Sequence, residues 1–222
     1  INGKFYTKYD YSEDEDEYEK ECKIFVGAFE DCSSLTSIYI PKSVTCIEKN
    51  AFKGCLKLSS LAIPESVAKI GEGAFNHCSS LTSIPIPPSV TEIGKGAFSE
   101  CSSLTSIAIP PSVTKIGVAA FFGCSSLTNI IVSKDNKVYD SREDCNAIIH
   151  AESNTLISGC KNTIIPPSVT GIAAWAFRGC SNLTSIFIPE SVTKIGVGAF
   201  FGCSNLTSIT IPPLVTEIVD GT

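Results

Sequence analysis

Residues 97–117 read AFSECSSLTSIAIPPSVTKIG. The same phrase recurs with its cysteine at 32, 55, 78, 101 and 124, a constant step of 23, and again at 180 and 203. The Phe three residues before each cysteine keeps step (Phe29, Phe52, Phe75, Phe98, Phe121, Phe177, Phe200), as does the Leu three after it, from Leu35 and Leu58 to Leu206. Self-similarity at a fixed short period means that each unit is one coil of chain. One coil cannot bury its apolar face alone, so the coils stack around a shared core. The sequence therefore predicts a repeat solenoid, mostly β and irregular, in place of one or two globular domains of the usual kind.

Within a coil, LTSIxIP alternates Leu and Ile inward with Ser and a variable residue outward, the period of a short strand, and parallel pairing with the next coil suits it. The Pro that follows ends it. SVTxIG supplies a second extended segment, with Val44 and Ile47, or Val90 and Ile93, facing in and Lys or Glu facing out; its Gly is expected to permit a turn. The Ala-Phe stretch reads as a short helical or irregular turn. Burial of each Phe contributes about 1.5–3 kcal/mol, and the seven rings form an aromatic spine.

These residues, in the pattern LxxIxIPxxVxxIxxxAFxxC over about residues 23 to 219, resemble the BspA-like leucine-rich repeats of bacterial surface proteins and some protist parasites. The resemblance implies a curved right-handed solenoid with no catalytic residues and no cofactor. It also implies display at the cell surface or secretion, and adhesion to a protein partner such as host extracellular matrix or another cell surface.

The departures from the repeat lie at the ends and in the middle. ECKIFVGAF at 21–29 aligns with VTCIEKNAF at 44–52, so one solenoid over 22–222 begins with a degenerate coil near Cys22. Residues 1–21 then form an acidic leader or N-terminal cap: Asp10 to Glu21 hold eight acids against Lys20. Asp10, Asp14 and Asp16 lack the Gly and distal Glu of a calcium loop, and like charges extend the chain, which favours a solvated leader. From Cys124 to Cys180 the step is 56, ten more than two repeats, so the unit at 125–179 is longer. In it AIIH at 147–150 and TLIS at 155–158 read as a hairpin projecting from the stack.

Composition sets further bounds. With 43% hydrophobic and 18% charged residues, the chain is too apolar for disorder. No apolar run approaches the roughly 20 residues of a transmembrane helix, and no basic-then-apolar leader is visible. The chain contains no Met, so a mature form or an excised fragment is expected. The net charge of -6 and the absence of a basic stripe argue against nucleic acid.

Eleven cysteines suggest a disulfide framework, yet seven share the repeat column, where stacked positions point their Cβ vectors in parallel, a poor geometry for bridging. These read as buried, reduced thiols. Cys145 and Cys160 flank the hairpin and could staple its base; Cys22 and Cys46, on adjacent coils, could cross-link the N-terminal edge; equally, all four could be free. No CxxC pair and no His in the column point to a metal site. His77 and His150 lack a repeated partner, and the many Ser belong to the template, so neither supports a nucleophile with its base. No phosphate loop occurs. Asn182 and Asn205 stand in Asn-Leu-Thr sequons.

A candidate contact surface lies in the outward residue just before each strand-ending Ile or Val: Tyr39, Ala62, Pro85, Ala108, Ile131, Ile164, Phe187 and Thr210. Ile131, Ile164 and Phe187 make an apolar stripe with Tyr39 at the far end, and exposed apolar surface marks interaction sites. The competing reading has the hairpin folding over the stripe, or a shifted register at Ile164.

Overall fold

The computed structural model describes residues 22–218, so the acidic leader and its Asp10, Asp14 and Asp16 lie outside the described residues. The chain is a β-solenoid of about eight coils. SVTxIG builds its main ladder: β1 (Cys22–Ile24), β2 (Val44–Ile47), β3 (Lys69–Ile70), β4 (Glu92–Ile93) and β6 (Lys115–Ile116) form one sheet, each neighbouring pair parallel. The LTSIxIP segment pairs as a strand only where β5 (Ser106–Ile109) meets β7 (Asn129–Val132); single bridges join Ser60 to Ser83 and Ile186 to Ile209. Pro85 stands inside one of these segments and Pro closes most others, so donors for a continuous ladder are missing.

The interior repeats column by column. Phe52, Phe75, Phe98 and Phe177 are fully buried with their Ala, Leu, Val and Ile companions. Rings stack from Phe29 to Phe121 at centroid spacings of 5.2 to 5.6 Å, and Phe177 stacks on Phe200 at 5.1 Å. The spine is thus two runs, separated by the longer unit.

The glycine of SVTxIG is explained differently from the sequence expectation. A Cβ at Gly94 would stand 2.5 Å from the backbone of the preceding coil, and one at Gly117 would stand 2.3 Å from it. Neither has a positive φ, so the missing side chain permits close stacking and does not make a turn. The left-handed residues lie elsewhere: one before the repeat cysteine (Asp31, Gly54, His77, Glu100, Gly123, Gly179, Gly202), five before it (Gly27, Asn50, Gly73, Gly96, Ala119, Trp175, Gly198), and in the longer unit at Glu143, Asp144, Asn146 and Asn154.

The hairpin does not project from the stack. β8 (Tyr139–Asp140), β9 (Ile148–His150) and β10 (Thr155–Ser158) pair antiparallel, and β10 continues in parallel into β11 (Gly171–Ile172), β12 (Lys194–Ile195) and β13 (Glu217–Ile218). Ile148, Ile149 and Leu156 are fully buried, and such side chains bind the hairpin into the sheet. Ile148 packs in the N-terminal core and Ile149 in the C-terminal one, as successive strand residues face opposite ways.

Candidate functional site

The outward column is exposed where it is large: Tyr39 76%, Ile131 51%, Ile164 71% and Phe187 74%. On β7 the pleat sends Ile130 and Val132 inward and Ile131 out, opposite Ala108 of β5. Ile164 is framed by buried Thr163 and Ile165, so the register read from the sequence holds. Thr163 fills a place held by Ile in other coils; its hydroxyl accepts from the Cys160 N–H at 2.8 Å and donates to the Asn146 carbonyl at 2.7 Å. The hairpin leaves this face open. Instead, residues 141–146 run beside it, with Ile164 N–H donating to Cys145 O and Val132 N–H to Ser141 Oγ, each at 3.0 Å. Ile164 and Phe187 therefore sit on successive coils, Ile131 lies across the 141–146 segment, and Tyr39 is remote at the N-terminal end.

The remaining surface columns hold the coils together. Ser66, Ser89, Ser112 and Ser191 donate to the Val carbonyl of the preceding coil at 2.6 to 2.7 Å. Thr114 and Thr193 donate likewise to Thr91 and Thr170. On the main sheet Glu92 lies between Lys69 (3.3 Å) and Lys115 (2.8 Å), and its hydrogen bond to Lys115 leads the causes that lower its pKa. Alternating signs leave no uniform charge field there.

All eleven cysteines are free thiols in the structure, and of the seven in the repeat column Cys55, Cys78, Cys101, Cys124 and Cys203 are buried as expected, whereas Cys32 in the first coil is exposed and Cys180 beside the longer unit is half-buried. Neither pair considered from the sequence is joined: Cys145 Sγ turns to Ala147 O and Cys160 Sγ to Asn146 O, while Cys46 is buried opposite Lys23 and Cys22 Sγ accepts from Ser43. His77 occupies a left-handed turn position, its Nδ1 2.7 Å from Asn76 Oδ1. His150 Nδ1 accepts from Ser153 N–H at 3.3 Å and lies 3.0 Å from Ser153 Oγ, which makes it a brace of the hairpin turn. Among the described residues no group of three or more His, Cys, Asp or Glu side chains gathers as a metal set. Asn182 donates to Ser125 O at 3.0 Å, and Asn205 is exposed.

One feature the sequence reading missed lies on the turn side of the longer unit. The Arg178 guanidinium stacks over Phe122 at 4.1 Å, Trp175 at 4.6 Å and Phe201 at 5.1 Å. Trp175 holds φ 64 in a column otherwise filled by small residues or Asn. A left-handed backbone costs about 1–2 kcal/mol for a residue with a Cβ. The signal was available, because positions two and five before each cysteine turn aromatic or cationic only around Phe122, Trp175, Arg178 and Phe201, Lys53 apart.

The family model described as BspA type Leucine rich repeat region matches in six copies over residues 23–146 and 148–222. No curated protein sequence matches. A leucine-rich cell surface protein of Faecalibacterium prausnitzii superimposes with TM-score 0.76 and 36% identity over 87% of this chain and 52% of its own length. The Treponema pallidum leucine-rich-repeat protein aligns with TM-score 0.56 and 32% identity over 84% of this chain and 72% of its own. The pneumococcal vaccine antigen PcpA, 23% identical with TM-score 0.66, shares the fold. This chain spans about half the length of the first of these structures. Among the described residues no helix is long and apolar enough to cross a membrane.

Proposed function

The chain belongs to the BspA-type leucine-rich-repeat family, and from that membership we propose that it is a cell-surface or secreted adhesion module. Its outward column of Ile131, Ile164 and Phe187 grips a protein of the host matrix or of another cell, and Tyr39 adds a contact at the far end. A leucine-rich-repeat solenoid is a non-enzymatic scaffold type, suited to protein interaction. Residues 22–222 act as one solenoid with its longer unit at 125–179, and residues 1–21 serve as an acidic leader or N-terminal cap.

The observation that carries the proposal is the exposure of Ile164 and Phe187, above 70% each, on successive coils. Large apolar side chains in solvent cost solubility and mark contact sites when they cluster. A second reading, a passive spacer within a larger surface protein, draws on the bland Ala62, Ala108 and Thr210 of the same column.

Binding of the purified chain to immobilised fibronectin, fibrinogen and whole bacterial cells separates the two. Saturable binding to any one of them supports adhesion; its absence from all three favours the spacer.

A further inference from the structure

The turn side of the solenoid changes character along the stack. Two residues before the repeat cysteine the first coils carry Glu30, Lys53, Asn76 and Ser99; six before it they carry Val26, Lys49, Glu72 and Lys95. Lys53 pairs with Glu30 at 2.8 Å and Lys49 with Glu72 at 3.2 Å, each across neighbouring coils, so those two cations are met within the fold. From the coil of Phe121 onward the same columns read Phe122, Arg178 and Phe201, and Val118, Ala174 and Val197. Val118 and Phe201 are more than half exposed. A single cation is thus set in an apolar patch.

That cation, the Arg178 guanidinium, is layered into its column. Phe122 and Phe201 belong to the coils before and after it, and its carbon lies 4.1 and 5.1 Å from their ring centres, with Trp175 at 4.6 Å. Main-chain bonds from Gly123 N–H to Arg178 O and from Gly179 N–H to Phe201 O hold the three in register. Stacking uses the faces of a guanidinium and leaves its N–H groups, which lie in the plane, unspent. Nε is buried without a hydrogen-bond partner, and no carboxylate meets the Nη groups among the described residues. Glu100, one coil before Phe122, turns its carboxylate over Gly123 and does not pair with Arg178.

We propose that the Phe122, Arg178, Phe201 layer is a second contact surface, which receives an Asp or Glu side chain from an apolar segment of a partner protein. A planar fork held still by aromatic rings matches a carboxylate, which it bonds through two parallel N–H groups in its own plane. A phosphate brings nearly two charges, and the two columns offer no second cation between Val118 and Phe201. The surface is open, so a free small carboxylate gains little more than one ion pair in water. A protein segment adds burial of Val118, Trp175 and Phe201, and Trp and Arg at the centre of an apolar patch are the residues that dominate protein contacts. The inference rests on reading the chain as a protein-binding scaffold but uses a different face from the outward column.

Trp175 is the only tryptophan, so its fluorescence reports on this layer. The full chain is titrated with a capped pentapeptide, Val-Ser-Glu-Ser-Val, in which the Glu and both Val side chains share one face when extended, and with its Gln analogue. The proposal predicts a saturable fluorescence change, a shift of the Arg178 Nε–H resonance, and binding at least about tenfold weaker for the Gln peptide. Arg178→Lys keeps the charge but loses the fork and weakens the Glu peptide at least about tenfold, whereas Ile131→Ser with Phe187→Ser leaves it unchanged. No saturable change up to about 10 mM, equal binding of the two peptides, or full binding by Arg178→Lys overturns the proposal. Binding to fibronectin, fibrinogen or cells that persists in that case leaves the adhesion reading standing. Loss of peptide binding in the Ile131/Phe187 variant moves the peptide to the outward column, against the proposal. So does self-association that Arg178→Lys abolishes, which assigns the layer to a second copy. Peptide-free Trp175 emission that responds to salt in the wild-type chain but not in Arg178→Lys assigns it to the chain's own acidic leader, also against the proposal. If Arg178→Lys does not fold, the Glu and Gln peptides on the wild-type chain decide, with the Nε–H resonance marking the place.

Discussion

The thiol of Cys124 donates to the carbonyl of Phe98 in the preceding coil at 3.1 Å, 26 residues back along the chain. Cys55 to Phe29, Cys78 to Phe52, Cys101 to Phe75 and Cys203 to Phe177 repeat the bond at 3.1 to 3.2 Å. The cysteine column is thus a ladder between coils, and its sulfurs point along the stack, away from bridging one another.

Burial pushes the Cys55 and Cys180 thiols from 9.0 up to about 12 and Cys203 to about 11. Such groups stabilise the fold while neutral, so their contribution is complete below about pH 9 and is lost as pH rises towards 12. The melting temperature is predicted to hold to about pH 9 and to fall beyond it. At neutral pH a thiol reagent is predicted to label exposed Cys32 first and the buried column thiols Cys55, Cys78, Cys101, Cys124 and Cys203 only on unfolding, as read by mass spectrometry of timed samples.

Phe98 is fully buried between the rings of Phe75 at 5.4 Å and Phe121 at 5.6 Å. Phe98→Ala leaves a cavity mid-stack and is predicted to cost about 3–5 kcal/mol in denaturant unfolding. A loss below about 1 kcal/mol would mean the spine is not core.

Asn136 stands in the column held by Val113 one coil earlier, buried and fully used. Its Nδ2 donates to Pro110 O and Val113 O at 2.9 Å, and its Oδ1 accepts from Val138 N–H at 2.9 Å and Tyr139 N–H at 2.8 Å. Asn136→Val restores the repeat's residue but strands four backbone groups. It is predicted to destabilise by about 2–4 kcal/mol, measured by chemical unfolding. A neutral result would show that water replaces the amide.

Glu100 holds φ 60 in a column otherwise rich in glycine. Glu100→Gly removes a left-handed strain of about 1–2 kcal/mol and adds about 0.5–1 kcal/mol of unfolded-state entropy. The predicted balance is a gain of about 0.5–1 kcal/mol, seen as a raised melting temperature.

The solenoid, its period, its inward columns and the exposed places of Ile131, Ile164 and Phe187 were legible in the sequence, because identical coils force identical environments. The hairpin's existence was legible too, but its placement was not: strand edges on both sides of residues 147–158 had to be satisfied, and pattern alone says nothing of which neighbour satisfies them. The role of Gly94 and Gly117 was misread because close approach and positive φ leave the same residue in the sequence. The clustering of Trp175, Arg178, Phe122 and Phe201 escaped notice because it joins coils that the longer unit separates by 56 residues instead of 23.

The most direct test of the binding surface is one titration of the wild-type chain and the Ile131→Ser, Phe187→Ser double variant over the same immobilised fibronectin, fibrinogen and cell surfaces, with thermal unfolding of both. The account predicts binding weakened at least about tenfold and a melting temperature nearly unchanged. Equal binding by the two proteins, or strong destabilisation of the variant, would contradict it.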